Sequence, residues 1–533
     1  MWIFIDWATT LECLFTALVM ACFLSVICFR PLGILQSLGY KCSAFFKWAG
    51  KKSNLTQPRF SVLALACLLS CAVISLSFSF AGHFAAVIGL SAYLIFFVLY
   101  IVAEVRHGFK TPAALTPRFK RLFITLWFVF AVLIYFIASA LNFAEAVWES
   151  GIFATLKYCV FALLPLAALP VIALADIITL IWEKPINNSY IKKAKKKIAE
   201  ADCKIIGITG SYGKTGAKNI LLQLLTTKYN VVATPSSYNT PLGIARVINS
   251  TDFTGVDFFI AEMGARHKGD ISELCRLCPP DYSLITGVCS QHLETFKSLE
   301  NIISTKGEII SATKNSVHIA ADAYGYFNYI QGDKHICDCL EDVQADSTGT
   351  AFTLKLGGES ARIKTRLLGG HSARNIALCA QLAYELGVSL PDIAAAADGL
   401  DYTEHRLQLL NANGVYVLDD GYNSNVVGAK AALGVLRTFQ GKKIAVTPGL
   451  VELGVLETEE NRSLGEQLVG LDYVILVGET LVKAVQEGYI SAGGDGKKLT
   501  VVPTLAKAQD VLKTVLEKGD AVLFLNDLPE QYL

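Results

Sequence analysis

Residues 203–215 read Cys-Lys-Ile-Ile-Gly-Ile-Thr-Gly-Ser-Tyr-Gly-Lys-Thr. The run Cys203–Thr209 has the pattern of a strand buried on both faces, since a half-exposed strand alternates apolar and polar residues. A glycine-rich turn follows, then Lys214-Thr215, then helical periodicity over Ala217–Thr227. Strand, glycine turn, Lys-Thr and helix in that order cradle a phosphate. The glycines let backbone N–H groups approach phosphate oxygens, and the helix N-terminus adds positive potential. On this reading Gly210, Ser211 and Gly213 form the cradle, Lys214 reaches the β- and γ-phosphates of ATP, and the Thr215 hydroxyl faces Mg²⁺. The spacing is G-x-x-G-x-x-G-K-T, with Ile208 where the common phosphate loop has its first glycine.

Outward from this stretch, strand and helix signals alternate. They include Val256–Ala261, Tyr282–Val288, Asn375–Leu386, Val415–Asp419, Lys443–Thr447, Tyr473–Val477 and Ala521–Leu525. Alternation of this kind predicts parallel sheets with helices on both faces, an α/β fold. We place a P-loop ATP-binding central domain at 198–403 and a Rossmann-like C-terminal domain at 404–533, with the reaction between them.

Five segments, in order, resemble the Mur ligase family. Gly207–Thr215 is similar to its nucleotide loop. Phe258-Phe259-Ile260-Ala261-Glu262-Met263-Gly264-Ala265 resembles the strand that ends in a Mg²⁺-binding glutamate. Cys289-Ser290-Gln291-His292-Leu293-Glu294-Thr295-Phe296 and Ser304-Thr305-Lys306-Gly307-Glu308 resemble the segments of the metal histidine and the carbamoylated lysine. Gly370-His371-Ser372-Ala373-Arg374-Asn375 precedes an alanine-rich helix, and Leu418–Asn425 leads to Gly449-Leu450-Val451-Glu452-Leu453-Gly454. The last two, with Ala-Glu-Met-Gly, are most similar to the member type that adds D-alanyl-D-alanine. Departures are Asn425-Val426 for Asn-Pro, His371-Ser372 for His-Asn, and Asn526-Asp527 for Lys-Gly-Ser.

The resemblance implies an ATP-dependent acid–amino-acid ligase working through an acyl phosphate. Such a reaction gathers negative charge at one point and calls for Mg²⁺ and cationic donors. By resemblance, Thr215 and Glu262 hold one Mg²⁺, while His292 and carbamoylated Lys306 hold a second. Lys214, Lys306, His292 and Asp420 are the catalytic set. Asn375, Arg406, Asp420 and Tyr422 complete the nucleotide site; the planar fork of Arg406 suits phosphate.

The first 182 residues are different in kind. The chain of 533 residues is 53% hydrophobic and 17% charged, and its long apolar runs gather here. Five runs reach the ~20 residues that cross a bilayer: near 11–29, 62–80, 84–103, 122–141 and 153–182. Pro165 and Pro170 predict a kink in the fifth. Met1–Ala8 carries no Lys or Arg, unlike a signal peptide. Arg30, Lys41, Lys47, Lys51, Lys52 and Arg59 follow the first run. Arg106, Lys110, Arg118, Lys120 and Arg121 follow the third, and a basic linker at 183–197 follows the fifth. With five spans all three basic segments share one side, so the N-terminus lies outside and the catalytic half is cytoplasmic. Glu12, Lys157 and Asp176 are charges in or near spans.

A net charge of +1 gives no basic field for nucleic acid. Cys275-x-x-Cys278 and Cys337-x-Cys339 have metal-like spacing, but no second pair with histidine completes a tetrahedral set. The expectation is a membrane-anchored, multi-pass ligase acting on a cell-wall or envelope precursor. Its partners are ATP, a carboxylate acceptor (lipid-linked or otherwise membrane-localised, because spans stand where the family's sugar-nucleotide domain belongs), an amino acid or dipeptide, and membrane lipid. A poly-γ-glutamate-type polymer ligase and an ATPase-driven transporter or sensor are the alternatives.

Overall fold

The computed structural model describes residues 7–50, 113–149, 152–236, 238–422 and 424–526, with a few isolated positions between 67 and 102. It divides into two compact units, Met1–Ile186 and Asn187–Leu533.

Among the described residues three helical stretches are long and apolar enough to cross a membrane: Trp7–Ile27 and Pro117–Trp148 in the first unit, and Thr155–Glu200, which begins there and runs past its end. The second and third expected spans, 62–80 and 84–103, lie outside the described residues. The helix Pro117–Trp148 begins where its sequence dictates. Thr116 caps it by accepting from the Phe119 N–H, and Pro117 occupies the first position, where no N–H is needed. Near Pro165 the chain tightens into a 3₁₀ turn, Leu164–Ala167, before the helix Ala168–Glu200. Ala17, Ala21 and Leu24 of the first helix pack with Leu122, Leu126 and Phe130. The charges expected in or near spans have partners. Lys157 Nζ lies 3.8 Å from Glu12 and donates to Asn142 Oδ1 at 2.9 Å. Arg118 lies 3.5 Å from Asp176, and Arg121 lies 2.5 Å from Glu183.

The second unit contains two six-stranded sheets and a three-stranded one. The first sheet comprises β1 (Lys204–Thr209), β2 (Val231–Ala233), β3 (Phe258–Glu262), β4 (Tyr282–Ile285), β5 (Val317–Ala320) and β6 (Lys334–Cys337). Its order is β2-β3-β1-β4-β5-β6, and every pairing is parallel. Successive residues of β1 enter different cores. Ile206 and Ile208 pack with Ala217, Leu221 and Leu224, whereas Ile205 packs with Phe259 and Ile248. Burial on both faces explains the unbroken apolar run, each fully buried isoleucine contributing about 1.5–3 kcal/mol. The strand order reverses beside β1, so the crevice for a ligand lies at the carboxyl ends of β1, β3 and β4.

An antiparallel meander follows: β7 (Leu340–Ala345), β8 (Thr350–Leu356) and β9 (Glu359–Thr365). The last sheet comprises β10 (Gln408–Ala412), β11 (Val415–Asp420), β12 (Lys443–Thr447), β13 (Tyr473–Val477), β14 (Leu499–Val502) and β15 (Ala521–Leu525). Its order is β10-β11-β15-β12-β13-β14, antiparallel only at β10–β11. Leu418, Ala445 and Leu523 face one core, and Ile444, Ile475 and Val522 face the other.

Candidate active site

The loop after β1 turns at two glycines that no other residue replaces easily. Gly210 has φ +151° and Gly213 φ +77°. Gly213 caps the helix Lys214–Leu225 in the left-handed region, so this helix starts three residues before the expected Ala217. The loop is tied to the segment after β4. The Ser211 N–H donates to Gly287 O at 2.8 Å, the Ser211 hydroxyl to Cys289 O at 3.3 Å, and the Thr286 hydroxyl to Tyr212 O. Tyr212 donates to Asp322 Oδ2 at 2.9 Å. Lys214 Nζ folds onto its own loop, donating to Gly210 O at 2.7 Å and Ser211 O at 3.2 Å. Its burial lowers its pKa, countered by the charge of Glu262. Thr215 occupies the first turn of the same helix.

Glu262 ends β3 and is 1% exposed. Its Oε1 accepts from Asn239 Nδ2 at 3.0 Å, and Lys218 Nζ lies 3.4 Å from Oε2. Glu262 Oε2 and Gln291 Oε1 are buried acceptors that receive no hydrogen bond. Lys218 also donates to Ser236 O at 2.5 Å.

Lys306 sits in the helix Leu299–Ala312, which Ser298 caps by accepting from the Asn301 N–H. Its side chain is buried, and among the described residues no carboxylate forms an ion pair with it, although Asp270 and Glu308 act on it from farther away. Burial first, and then the positive charge of Lys214, hold its ammonium pKa well below the ordinary lysine value. Cys289 lies close enough for Lys214 and Lys306 to act on it, but burial dominates and pushes its thiol up to about 12. His292 has φ +56°. Its Nδ1 is hydrogen-bonded to Glu452 Oε2, and burial lowers its pKa.

Asn375 packs its amide against Gly213. The remaining expected residues come from the second α/β domain. Arg406 donates from Nη1 to Tyr422 O at 2.7 Å, with its guanidinium 4.5 Å from the Tyr422 ring centre. Its pKa is lowered by burial and raised again by Asp420, Tyr422 and Glu262, and its charge in turn lowers that of Lys214. Asp420 is buried beneath. Its Oδ1 accepts from the Leu407 N–H at 3.1 Å and its Oδ2 from Ser424 Oγ at 3.0 Å. Burial raises its carboxyl pKa to about 6. Lys214 thus feels the charges of Glu262 and Arg406 and acts in turn on His292 and Lys306, while Asp420 acts on Arg406. Cys275 lies 3.9 Å from Met263 Sδ, and Cys278 faces Leu274 O at 3.5 Å. Among the described residues no His, Cys, Asp and Glu side chains group as a preformed metal cluster.

Sequence reasoning missed Lys218, Arg266, Asn239 and the role of Glu452. Lys218 was legible, because it follows Lys214 by four residues and shares its helix face. Arg266 and Glu452 meet only in three dimensions, 3.3 Å apart from Nη1 to Oε1.

Residues 208–383 match the model of the Mur ligase middle domain, and residues 405–526 match that of the Mur ligase glutamate ligase domain. The UDP-N-acetylmuramoyl-tripeptide--D-alanyl-D-alanine ligase of Bacillus subtilis is 29% identical over 348 residues, covering 62% of this chain and 74% of the relative. The Mycobacterium tuberculosis enzyme of that name (strain CDC 1551) is 31% identical over 357 residues, covering 60% of this chain and 69% of its own. The crystal structure of MurF ligase from Thermotoga maritima in complex with ADP superposes with a TM-score of 0.58 at 29% identity, covering 64% of this chain and 80% of that one. The chain therefore belongs to the Mur ligase family and is an ATP-dependent ligase of MurF-like type.

Proposed function

We propose that this protein is a membrane-anchored ligase that uses ATP to form an amide bond between a carboxylate-bearing cell-wall precursor and an amino acid or dipeptide, at the cytoplasmic face. The observation that carries the reading is Lys306, a buried lysine with a depressed pKa and, among the described residues, no ion-paired carboxylate, whose ammonium feels the charge of Lys214. A neutral amine adds to CO₂: an N–C bond forms, a proton leaves, and the product is an anionic carbamate. That converts a group that would repel a cation into an oxygen ligand.

The donor set fits Mg²⁺. Gln291 Oε1 is a buried acceptor without a hydrogen bond, Glu262 Oε2 has the Lys218 ammonium at 3.4 Å but accepts no hydrogen bond, and Mg²⁺ favours oxygen ligands. Thr215 and Glu262 would hold one ion, and His292 with carbamoylated Lys306 a second. When bound, the ions neutralise charge on the phosphates.

The acceptor carboxylate oxygen attacks the γ-phosphorus as the bond to ADP breaks, giving an acyl phosphate. The amine nitrogen then attacks the acyl carbon, phosphate leaves, and the amine proton passes to solvent. Lys214 and Arg406 supply fixed positive charge, and Asp420 sustains Arg406. Asn375 and Tyr422 flank the nucleotide. Closure of 404–533 onto 198–403 would keep water from the acyl phosphate. The names of the relatives suggest UDP-N-acetylmuramoyl-tripeptide and D-alanyl-D-alanine as the first substrates to try. The three long apolar helices support membrane attachment by residues 1–182, with the N-terminus outside and residues 183–197 leading to the catalytic half. They also favour a lipid-linked form of the acceptor.

The test uses the full chain in detergent with ATP, Mg²⁺ and these substrates, free or lipid-linked. Phosphate release that requires both acceptor and amine supports ligation. Release without any amine contradicts it and fits ATP-driven transport instead.

A further inference from the structure

The two α/β domains are bridged by Glu452 and Arg266, which have no expected role, together with the expected metal ligand His292. Glu452 belongs to the C-terminal domain. Its Oε2 is hydrogen-bonded to His292 Nδ1, and its Oε1 lies 3.3 Å from Arg266 Nη1. His292 and Arg266 both belong to the middle domain, Arg266 four residues beyond Glu262.

The junction is built rather than incidental. His292 and Glu452 both adopt left-handed backbone, φ +56° and +64°. A residue with a side chain pays on the order of 1–2 kcal/mol for that conformation, so surrounding structure must hold it. His292 O accepts from the N–H groups of Thr295 and Phe296 at 3.0 Å each. Glu452 is flanked by the buried Val451 and Leu453. Four residues beyond Glu452, Leu456 packs on Leu293, Phe296 and Ile302 of the middle domain.

A carboxylate at Nδ1 settles the tautomer. The proton stays on Nδ1, and Nε2 presents its lone pair, the arrangement that metal-binding histidines commonly adopt. We infer that Glu452 is a positioning residue that orients His292 toward a divalent cation and so couples cation binding to closure of the C-terminal domain. The inference rests on the proposed ligand role of His292 and goes beyond it. By linkage, the factor by which closure tightens the cation is the factor by which the cation favours closure.

The experiment titrates Mn²⁺ calorimetrically onto the ADP-loaded full chain and follows hydrogen–deuterium exchange of residues 289–297 and 449–457. In the native protein Mn²⁺ protects both segments. Glu452→Ala should weaken Mn²⁺ about 10–100-fold and abolish protection of 449–457 by the ion. Arg266→Ala leaves the His292 contact in place and serves as a second variant, with a smaller loss in the same direction. Mn²⁺ affinity within twofold of native in Glu452→Ala, while His292→Ala loses the ion, overturns the inference alone. Unchanged affinity in His292→Ala overturns the ligand role of His292 and the inference with it.

Discussion

Lys218 Nζ lies 3.4 Å from Glu262 Oε2, and the two side chains are 2% and 1% exposed. A buried pair is weak evidence of stability in itself, but removing one member strands the other charge. Lys218→Met should therefore destabilise the middle domain by about 3–5 kcal/mol, lowering its thermal midpoint by roughly 6–20 °C. All six tryptophans lie within residues 1–182, so circular dichroism, and not intrinsic fluorescence, is the measurement. Lys218→Met with Glu262→Gln should recover much of the loss, since the stranded charge is then gone.

The phosphate loop predicts a second outcome. A methyl group on Gly210 would stand 2.2 Å from Thr286 Oγ1, and one on Gly213 would stand 3.1 Å from Asn375 Oδ1 at a φ of +77°. Both substitutions should weaken a fluorescent ATP analogue more than tenfold, about 1.4 kcal/mol or more. Gly255→Ala, at an open positive-φ turn, should leave nucleotide affinity unchanged.

Lys306→Ala should abolish ligation and leave nucleotide binding largely intact, with partial rescue by short-chain carboxylates. Native enzyme depleted of CO₂ should lose activity and regain it with bicarbonate. A new ¹³C resonance after adding ¹³C-bicarbonate, absent from the variant, is the direct check.

Asp420 sets a pH dependence. An acid whose folded pKa exceeds its unfolded value holds its proton more tightly when folded. Its favourable contribution is therefore full below about pH 4, where the unfolded acid titrates, and is lost as pH rises toward the folded value. With Asp420 raised to about 6, the loss spans roughly two pH units and amounts to about 3 kcal/mol. Asp420→Asn removes this titration. The stability of the variant relative to native should rise between about pH 4 and 6 and level off above, read from urea midpoints by circular dichroism. A difference that stays flat across that range removes the assignment.

Much of the soluble half was legible because its strands are buried on both faces. Lys443–Thr447, Tyr473–Val477 and Ala521–Leu525 run where their apolar stretches place them. The meander β7–β9 was not read. Leu340–Ala345 is almost wholly exposed and carries Glu341, Asp342 and Gln344, so no apolar run marks it, although Thr350–Leu356 alternates in burial as a half-exposed strand should. The expected strand Tyr282–Val288 ends at Ile285, because Thr286 turns to bind Thr209 and Tyr212 of the phosphate loop. At the site, Lys214, Glu262 and Lys306 were marked by local pattern. The Arg266–Glu452–His292 chain was not, since its members are 26 and 160 residues apart and meet only through domain packing.

The most direct test of the central claim labels the acceptor carboxylate with ¹⁸O and follows one turnover of the full chain with ATP, Mg²⁺ and amine. An acyl phosphate predicts inorganic phosphate carrying one ¹⁸O per amide bond formed. Amide formation with unlabelled phosphate would contradict it.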